Sequence, residues 1–291
     1  MFSGSIVALV TPFKNKQIDE QSLINLIHMH INAGTSGVLV CGSTGEGNLL
    51  SQDERNKITA LAKEEINGSV PLIIGCGHPS VEGVVESIQQ AQKIGIDAAL
   101  VVAPYYVKPT QRGLIQFYKE VHDQTNTPIL LYNNPARTCV DIAPDTIIEL
   151  SKLQRIVGLK DSNPDAARFS YLKRKVKGEF CLLSGEDRIT PAHLLHGAVG
   201  TISVVANIIP KLCTQQVKTW ETGDLKTFIN LNDSILKCID ILSEESNPSA
   251  IKAMMATQGL ITNELRIPLL PACENFTKKS LDFLKDFKIE N

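Results

Sequence analysis

The sequence predicts an α/β fold, a (β/α)8 barrel with a C-terminal helical appendage. Three observations predict it. Eight short apolar runs recur along the first 205 residues, helical patterns lie between them, and successive runs begin roughly 20 to 33 residues apart, the length of one strand and helix unit. The runs are continuously apolar rather than alternating, as expected for strands of a parallel sheet covered by helices. Eight such units in series are typical of a single barrel.

Each predicted strand is a short run rich in Val, Ile, Leu and Ala. Strands of this kind are buried on both faces, so each contributes to one continuous core. The predicted strands are Ser5–Thr11, Gly37–Cys41, Val70–Gly75, Ala98–Ala103, Pro128–Tyr132, Ile156–Lys160, Phe180–Leu183 and Gly200–Val205.

Between the strands, apolar residues recur three or four positions apart, as on one face of a helix. Ser51 and Glu54 form a capping box that predicts a helix start, and Thr110 precedes another helical stripe. Asn163 followed by Pro164 predicts an N-cap with proline at the first helical position. The helical stripes are Leu23–Ile31, Ile58–Ala62, Val81–Ala91 and Leu114–Val121.

About 85 residues follow the eighth predicted strand, and they contain helical stretches but no comparable strand. No Gly/Pro/Ser-rich or single-sign charged linker separates them from the barrel. We therefore expect residues 1–205 to form the barrel and residues 206–291 a helical region packed on it. The predicted helices of this region are Lys211–Glu221, Leu225–Leu242, Ser249–Thr257 and Lys278–Phe287.

The composition excludes several classes of partner and site. A formal net charge of −2 without a basic run argues against nucleic acid and anionic membranes as partners. The seven cysteines are scattered singly without a CxxC pair, which favours neither a disulfide framework nor a zinc site, and no metal is expected. His193 and His196 lack a carboxylate at matching spacing and are expected to be packing or solvated side chains.

The location expected for the chain is the cytoplasm. No apolar stretch approaches the roughly 18 residues that span a bilayer. The first basic residue, Lys14, follows the apolar run Ile6–Val10, whereas a signal peptide places its basic residues first. Free cysteines are also typical of a reducing compartment.

In a barrel of this class, chemistry is expected where strands end and the following loops begin. After the second predicted strand, the segment 42–46 places two hydroxyls, Ser43 and Thr44, between glycines. Such a turn can cradle a carboxylate or a phosphate with its hydroxyls and backbone amides. It matches neither the GxxxxGK[ST] nor the GxGxxG pattern, so a nucleotide is not the favoured ligand.

Three of the five tyrosines also fall at strand ends. Tyr105 and Tyr106 follow the fourth predicted strand, and Tyr132 ends the fifth. Taken singly, each is explained as an amphipathic side chain at the boundary of the core. Together they place phenols where a reaction would need groups that carry protons.

Lys160 ends the sixth predicted strand, although lysine is almost never fully buried without a purpose. A free lysine amine has a pKa of about 10.4, so fewer than about one in a thousand is neutral at pH 7. Burial favours the neutral amine, which can condense with a ketone to form a Schiff base. The alternative is a lysine that pairs with Asp161 or extends to the rim of the barrel.

With these segments in order, the chain resembles the dihydrodipicolinate synthase and N-acetylneuraminate lyase family. The resemblance covers essentially the whole chain from Ser5 onward. The motifs that carry it are Gly42-Ser43-Thr44-Gly45-Glu46, Pro104-Tyr105-Tyr106, Tyr132-Asn133-Asn134-Pro135, Gly158-Leu159-Lys160-Asp161-Ser162 and Leu183-Ser184-Gly185-Glu186-Asp187.

The resemblance implies a role for each matching position. Lys160 would form the Schiff base with pyruvate, and Tyr132 would donate and accept protons. Ser43 and Thr44 would hold the pyruvate carboxylate. A backbone carbonyl after strand 8, which falls on Ile202, would complete the pyruvate pocket, with Gly185 among the substrate-binding residues. Neither a metal nor an organic cofactor is implied, because the lysine supplies the electron sink.

Two residues favour the synthases of this family over its lyases. Arg137 matches the arginine by which the synthases hold the carboxylate of aspartate semialdehyde, where the sugar acid lyases typically carry an apolar residue. Tyr106 matches the tyrosine that the synthases lend across a dimer interface to a neighbour's proton relay. The alternative is a family aldolase acting on N-acetylneuraminate or a keto-deoxy sugar acid. The family implies a homotetramer built as a dimer of dimers, and a dimer is the alternative.

The chain departs from the synthases in two places. Ser43 stands where they usually have threonine, which keeps the hydroxyl but loses a methyl group and a restriction on χ1. Pro79 and Gly83 stand where feedback-inhibited members carry an asparagine and a glutamate that bind lysine. We therefore expect weak or absent inhibition by lysine.

Overall fold

The computed structural model describes residues 2–287 and contains a closed barrel of eight parallel strands, which confirms the predicted fold class. Each predicted strand has a counterpart whose ends agree within a few residues. The strands are β1 (Gly4–Ala8), β2 (Gly37–Val40), β3 (Leu72–Gly75), β4 (Ala98–Val102), β5 (Ile129–Asn133), β6 (Ile156–Asp161), β7 (Cys181–Ser184) and β8 (Gly200–Ser203).

Strands adjacent in sequence are also neighbours in the barrel, and β1 closes it by lying between β8 and β2. The pairing of β5 with β6 sets Tyr132 beside Lys160 and Asn133 beside Asp161. Because side chains alternate along a strand, Tyr132 and Lys160 share one face of the sheet and Asn133 and Asp161 share the other. The register thus brings together two of the four residues predicted from the sequence to be catalytic, Tyr132 and Lys160.

Strand β1 is shorter than predicted because its continuation is bonded to a side chain. Val10 donates its backbone N–H to Asn207 Oδ1 at 3.1 Å, and Asn207 Nδ2 donates to the carbonyl of Ala8 at 2.9 Å. One buried amide therefore satisfies backbone groups that would otherwise extend the ladder. Strand β8 likewise ends at Ser203 rather than at Val205, because Val205 begins a 3-10 turn.

Helices lie between the strands and form the C-terminal region, and among the described residues none is long and apolar enough to cross a membrane. They are α1 (Glu20–Asn32), α2 (Gln52–Ile66), α3 (Val81–Ile94), α4 (Gln111–Gln124), α5 (Pro135–Thr138), α6 (Pro144–Leu150), α7 (Ala167–Lys175), α8 (Thr190–Leu195), α9 (Pro210–Thr222), α10 (Leu225–Leu242), α11 (Ser249–Thr257) and α12 (Glu274–Asp286).

The predicted helix starts have mixed outcomes. Both halves of the capping box of Ser51 and Glu54 are present, and Thr110 caps α4. The predicted start at Asn163 is wrong, because α7 begins at Ala167. Asn163 instead accepts from the backbone of Asp165 at 2.9 Å, a local turn that competes with helix initiation.

The C-terminal helices follow the prediction except at the last, which begins four residues before the predicted Lys278. Phe276 explains the earlier start, since it is buried in a small core with Ala250, Ala253 and Ala272. This core joins α11 to α12. The predicted division at residues 205 and 206 stays a prediction.

A short hairpin was not predicted from the sequence. Phe13–Lys14 pairs antiparallel with Gln17–Ile18, and the two residues between them, Asn15 and Lys16, both have positive φ. Two-residue hairpin loops of this kind usually contain glycine, which is absent here. Phe13 is fully buried, and its ring has a part in the contacts described below.

Two compact units are distinguished by their internal contacts: residues 71–202, and residues 4–70 with 203–287. The first unit holds β3 to β7 and most of β8. The second holds β1, β2 and the C-terminal helices. The predicted site residues divide between the two units.

Candidate active site

Lys160 lies near the end of β6 and is 4% exposed. Its Nζ lies 4.4 Å from the centre of the Tyr132 ring on the neighbouring strand. Among residues 2–287, no carboxylate lies within ion-pair distance of this amine. The alternative expectation, a pair with Asp161, is wrong, because the Asp161 carboxylate is bonded to Arg168 at 3.3 Å. A buried amine without a carboxylate partner is available to act as a nucleophile.

Tyr132 is a buried phenol whose hydroxyl is hydrogen-bonded. It is 7% exposed, and its hydroxyl accepts a hydrogen bond from Asn134 Nδ2 at 2.8 Å. Burial on its own raises the pKa of Tyr132, but the nearby Lys160 charge opposes this. Hydrogen bonding with Asn134 and with Ser162 and the Arg137 charge act in the same direction as Lys160, so the pKa of the phenol is lowered. A phenol with a lowered pKa is a better proton carrier near neutrality.

Asn134 is a site residue that sequence reasoning missed. Its Oδ1 accepts from the backbone N–H of Arg137 at 3.2 Å and so caps α5, while its Nδ2 donates to Tyr132. One amide therefore ties the Tyr132 phenol to the short helix that carries Arg137. The sequence offered a signal, because asparagine followed by proline is a common helix start.

Gly185 keeps open the space beside Lys160. A Cβ at Gly185 would lie 3.0 Å from Lys160 Cε and 2.4 Å from Ser162 Oγ. The backbone of Gly185 is also fixed. Its carbonyl accepts from Ser162 Oγ at 2.8 Å, and its N–H donates to the backbone carbonyl of Asp161 at 2.7 Å. Any side chain at this position would displace the lysine or the serine.

A polar network holds the ends of β5 and β6 from the opposite face. Asn133 Nδ2 donates to Asp161 at 2.9 Å and to Asp141 at 2.8 Å. Arg168 bonds both carboxylates, at 3.3 Å and 2.8 Å. Burial raises the pKa of Asp161, and the Arg168 charge opposes that rise. The network thereby fixes the backbone that carries Tyr132 and Lys160.

The other predicted residues of this unit are Arg137, Tyr106 and Ile202. Arg137 is exposed on α5. Tyr106 is 94% exposed and has a φ of +72°, which is rare for a bulky residue. The structure of one chain therefore leaves the Tyr106 ring in solvent. Ile202 is buried within β8 rather than after it.

Glu186 follows Gly185 and adds negative charge near the site. Burial raises the pKa of this carboxyl, the neighbouring Asp187 raises it further, and the Arg188 and Lys160 charges oppose the rise. Its Oε1 accepts from the backbone of Arg188 at 3.4 Å. The sequence places Glu186 within a motif, but no role for it was predicted.

In the second unit, Ser43 and Thr44 lie in a tight turn after β2. Ser43 is exposed, and Thr44 is 2% exposed. A Cβ at Gly47 would lie 1.9 Å from the carbonyl oxygen of Cys41, so only glycine fits there. Cys41 and Glu46 both have left-handed backbone, at φ of +53° and +56°. Strain of this kind costs on the order of 1–3 kcal/mol per residue and persists only where the surroundings hold it.

The two histidines considered as metal ligands, His193 and His196, contact neighbouring side chains. His193 stacks on Phe169 at 4.2 Å, and its Nδ1 lies 2.8 Å from Ser184 Oγ. Burial lowers the pKa of His193 to about 4. His196 Nδ1 lies 2.7 Å from Ser170 Oγ. Within residues 2–287, no group of three His, Cys, Asp or Glu side chains is arranged to hold a metal ion.

Comparison with known proteins connects this geometry to one family. A model of the dihydrodipicolinate synthetase family matches residues 1–286. The 4-hydroxy-tetrahydrodipicolinate synthase of Parvibaculum lavamentivorans is 39% identical over 291 residues, which cover 100% of both chains. The similarity therefore extends over the barrel and the C-terminal helices alike.

Solved structures agree with this result. Dihydrodipicolinate synthase from Aquifex aeolicus is 36% identical and superposes with a TM-score of 0.95, covering 100% of both chains. The chloride-inhibited dihydrodipicolinate synthase from Acinetobacter baumannii, complexed with pyruvate, is 38% identical with a TM-score of 0.96. That match covers 99% of this chain and 100% of the other.

Proposed function

The chain belongs to the dihydrodipicolinate synthetase family, and we propose that it condenses pyruvate with L-aspartate 4-semialdehyde through a Schiff base on Lys160. The product is 4-hydroxy-tetrahydrodipicolinate, in the diaminopimelate route to lysine. The observation that carries the proposal is the buried amine of Lys160, 4.4 Å from the ring of Tyr132 and without a carboxylate partner among the described residues.

The reaction begins at the amine of Lys160. Its lone pair adds to the ketone carbon of pyruvate, and the former carbonyl oxygen leaves as water, so that a protonated imine forms. The imine withdraws electrons from the adjacent methyl group, which loses a proton and becomes an enamine. The enamine carbon bonds to the aldehyde carbon of the semialdehyde, whose oxygen takes up a proton. The amine of that substrate then adds to the imine carbon, closes the ring and displaces Lys160.

Tyr132 exchanges the protons of these steps, together with Ser43 and Tyr106. The lowered pKa of Tyr132 supports this role. Tyr106 acts from a neighbouring subunit, an assignment supported by its 94% exposure and by the 59% exposure of Val107 beside it. We accordingly propose a homotetramer, a dimer of dimers, in which each site receives one tyrosine from its dimer partner. Sedimentation of the Tyr106→Trp variant against the parent would show whether this surface is an interface.

Substrate binding is assigned to the remaining predicted residues. The hydroxyls of Ser43 and Thr44 bind the pyruvate carboxylate, and the Ile202 carbonyl and Gly185 border the same substrate. Arg137 binds the carboxylate of the semialdehyde, because a guanidinium forms two parallel hydrogen bonds with a carboxylate. No metal or organic cofactor is required, because the protonated imine is the electron sink.

Borohydride reduction in the presence of pyruvate tests the Schiff base. The peptide that contains Lys160 is expected to gain the reduced pyruvate adduct, as read by mass spectrometry. Lys252, a second buried lysine, is the control within the same chain and is expected to stay unmodified. An unmodified Lys160 peptide after complete reduction would overturn the mechanism.

An aldolase of the same family is the alternative function. Ser43 in place of threonine is the observation that favours it, whereas Arg137 favours the synthase. Coupled assays with aspartate semialdehyde and with N-acetylneuraminate separate the two functions. We expect turnover with the first substrate and none with the second.

Inhibition by lysine is expected to be weak or absent. Pro79 cannot donate a backbone N–H and has no polar side chain, and Gly83 has no carboxylate for the amine of lysine. A Cβ at Gly83 would lie 2.2 Å from His78 Nδ1, so the turn is built around the lack of a side chain there. Half-maximal inhibition at micromolar lysine would contradict this expectation.

We propose that the enzyme is located in the cytoplasm. Among the described residues no cysteine forms a disulfide, and five of the seven are buried, which suits a reducing compartment. Fractionation of cells that express the tagged protein would test this location.

A further inference from the structure

The turn after β2 contains a buried carboxylate that the proposed reaction does not use. Glu46 is 2% exposed and lies two residues after Thr44. Its backbone is left-handed, with a φ of +56°, and its N–H donates to the carbonyl of Ser43 at 3.1 Å. The Glu46 side chain therefore belongs to the same turn as the two hydroxyls.

The C-terminal region holds this carboxylate at both oxygens. Lys252 on α11 donates its Nζ to Glu46 Oε1 at 2.5 Å, and the backbone N–H of Arg266 donates to Glu46 Oε2 at 2.8 Å. Lys252 Nζ also donates to the carbonyl of Glu264 at 2.8 Å. The side chain of Lys252 is completely buried. The turn after β2 is thus fastened to a segment about 200 residues later in the chain.

The aromatic ring of Phe13 lies against the amine of Lys252 on another side. Lys252 Nζ lies 4.3 Å from the centre of the Phe13 ring, and the guanidinium carbon of Arg266 lies 4.6 Å from it. With a carboxylate, a carbonyl and a ring around it, the amine of Lys252 has no path to a substrate ketone. Lys252 is therefore a positioning residue and not a second nucleophile.

The same C-terminal region also contacts Thr44 directly. Asn247 Nδ2 donates to Thr44 Oγ1 at 3.0 Å. A threonine hydroxyl has one proton to donate, and accepting from Asn247 leaves that proton available for an anion. Thr44 is consequently presented as a donor, which is what binding of a carboxylate requires.

We propose that the buried pair of Lys252 and Glu46 is a positioning device that sets the Ser43–Thr44 turn for the carboxylate of the 2-keto acid. The inference rests on the proposed function, because it assigns the carboxylate of that substrate to this turn. Buried ion pairs contribute little net stability, since desolvation offsets their attraction, and their best-attested use is to specify one arrangement of the chain. In this protein the arrangement is the turn in which Cys41 and Glu46 have left-handed backbone and the Thr44 hydroxyl is free to donate its proton.

The test compares a ketone that has a carboxylate with one that lacks it. The rate of borohydride trapping at Lys160 is measured with pyruvate and with acetone in the parent, Lys252→Met, Glu46→Gln and the double variant Glu46→Gln/Lys252→Met. The double variant leaves no unpaired buried charge, so it folds even where a single variant does not. Met255→Ala, a cavity on the same helix that changes no charge, is the control for general destabilisation.

We expect the variants to trap subsaturating pyruvate about tenfold more slowly than the parent, the loss that accompanies one hydrogen bond to a charged group. Acetone trapping should stay within twofold of the parent. In steady-state assays, KM for pyruvate should rise while kcat changes less, and Thr44→Val should show the same profile.

Two outcomes would overturn the positioning role. In one, pyruvate and acetone trapping fall by the same factor, which indicates general distortion. In the other, neither changes while the melting temperature falls, which indicates a purely structural pair. Failure of the proposed function is distinguishable, because the parent itself would then fail to be trapped by pyruvate at Lys160.

Discussion

Two lysines of the chain are buried against aromatic rings in similar ways, and their surroundings assign them different tasks. Lys160 is 4% exposed with Nζ 4.4 Å from the Tyr132 ring, and Lys252 is fully buried with Nζ 4.3 Å from the Phe13 ring. Lys252 donates to the carboxylate of Glu46 at 2.5 Å. No carboxylate within residues 2–287 pairs with Lys160.

Burial alone therefore does not identify a reactive lysine. A carboxylate on a buried amine stabilises its charged form and occupies its protons, so the amine cannot attack. A phenol beside the amine does neither, and it can exchange protons with the substrate. Lys160 and Lys252 thus differ in the group that contacts the amine more than in how deeply the amine is buried.

The largest effect that this comparison predicts concerns the two lysines themselves. Lys160→Met should lower kcat/KM at least about a thousandfold, because it removes the nucleophile. Lys252→Met should keep most of kcat but lose about 3–5 kcal/mol of unfolding free energy, since it leaves Glu46 charged and unpaired in the core. Steady-state kinetics and urea unfolding of both variants measure the two effects. An equal loss of kcat in Lys160→Met and Lys252→Met would contradict the different roles of the two lysines.

The sequence singled out Lys160 and passed over Lys252 for a physical reason. Lys160 interrupts a continuous apolar run at the end of a strand, where a charge is conspicuous. Lys252 lies in a helical stretch, where a lysine is ordinarily explained as an exposed residue. Its partner Glu46 is 206 residues away, so the pair cannot be found without the fold.

The same contrast runs through the rest of the molecule. The eight strands, the capping box of Ser51 and Glu54 and the N-cap Thr110 follow from local patterns, so the sequence predicts them well. The helix start expected at Asn163 and the hairpin at Asn15–Lys16 depend on competing local hydrogen bonds and on unusual φ values, which periodicity does not record. Asn134 and Asn247 orient site hydroxyls through contacts that only the fold establishes.

Tyr132→Phe tests the role of the phenol beside Lys160. The ring stays against the lysine, but the hydroxyl that exchanges protons is lost, so kcat should fall about a hundredfold or more. Schiff-base formation should still be detectable by borohydride trapping with pyruvate, at a lower rate. A kcat within threefold of the parent would show that another group carries the proton.

Arg137→Leu extends the comparison to the second substrate. The leucine keeps an apolar stem but removes the guanidinium, so KM for aspartate semialdehyde should rise about tenfold to a hundredfold. Trapping by pyruvate alone should change little, because Arg137 is assigned to the later step. Loss of the Arg137 charge should also raise the pKa of Tyr132, which moves the rising limb of the pH profile of kcat to higher pH. A variant with KM for the semialdehyde unchanged would assign that carboxylate to another residue.

The protonation of Lys252 provides a smaller test, read as stability. Burial lowers the pKa of Lys252 to about 8, and the Glu46 carboxylate opposes that shift. The pKa of Lys252 in the folded protein lies below its pKa in the unfolded chain. The free-energy cost of burying the charged amine is therefore fully present below pH 8, and it decreases as the pH rises toward about 10.4.

The measurement for Lys252 is the difference in unfolding free energy between the parent and Glu46→Gln/Lys252→Met. It should be flat below pH 8 and then shift in favour of the parent, by at most about 1.4 kcal/mol per pH unit. A shift in favour of the double variant over that range would mean that the carboxylate outweighs burial and raises the pKa of Lys252 in the folded protein.

Ser43→Thr should have the smallest effect and bears on how the turn is held. The added methyl group restricts χ1 of the residue that synthases usually fill with threonine. If Glu46 and Lys252 already fix the backbone of the turn, that restriction adds little, and kcat/KM should stay within about threefold of the parent. The same substitution placed in Glu46→Gln/Lys252→Met should help more, because there the turn has lost its anchor. Equal effects of Ser43→Thr in the two backgrounds, measured as kcat/KM for pyruvate, would show that the hydroxyl of residue 43 is positioned independently of the buried pair.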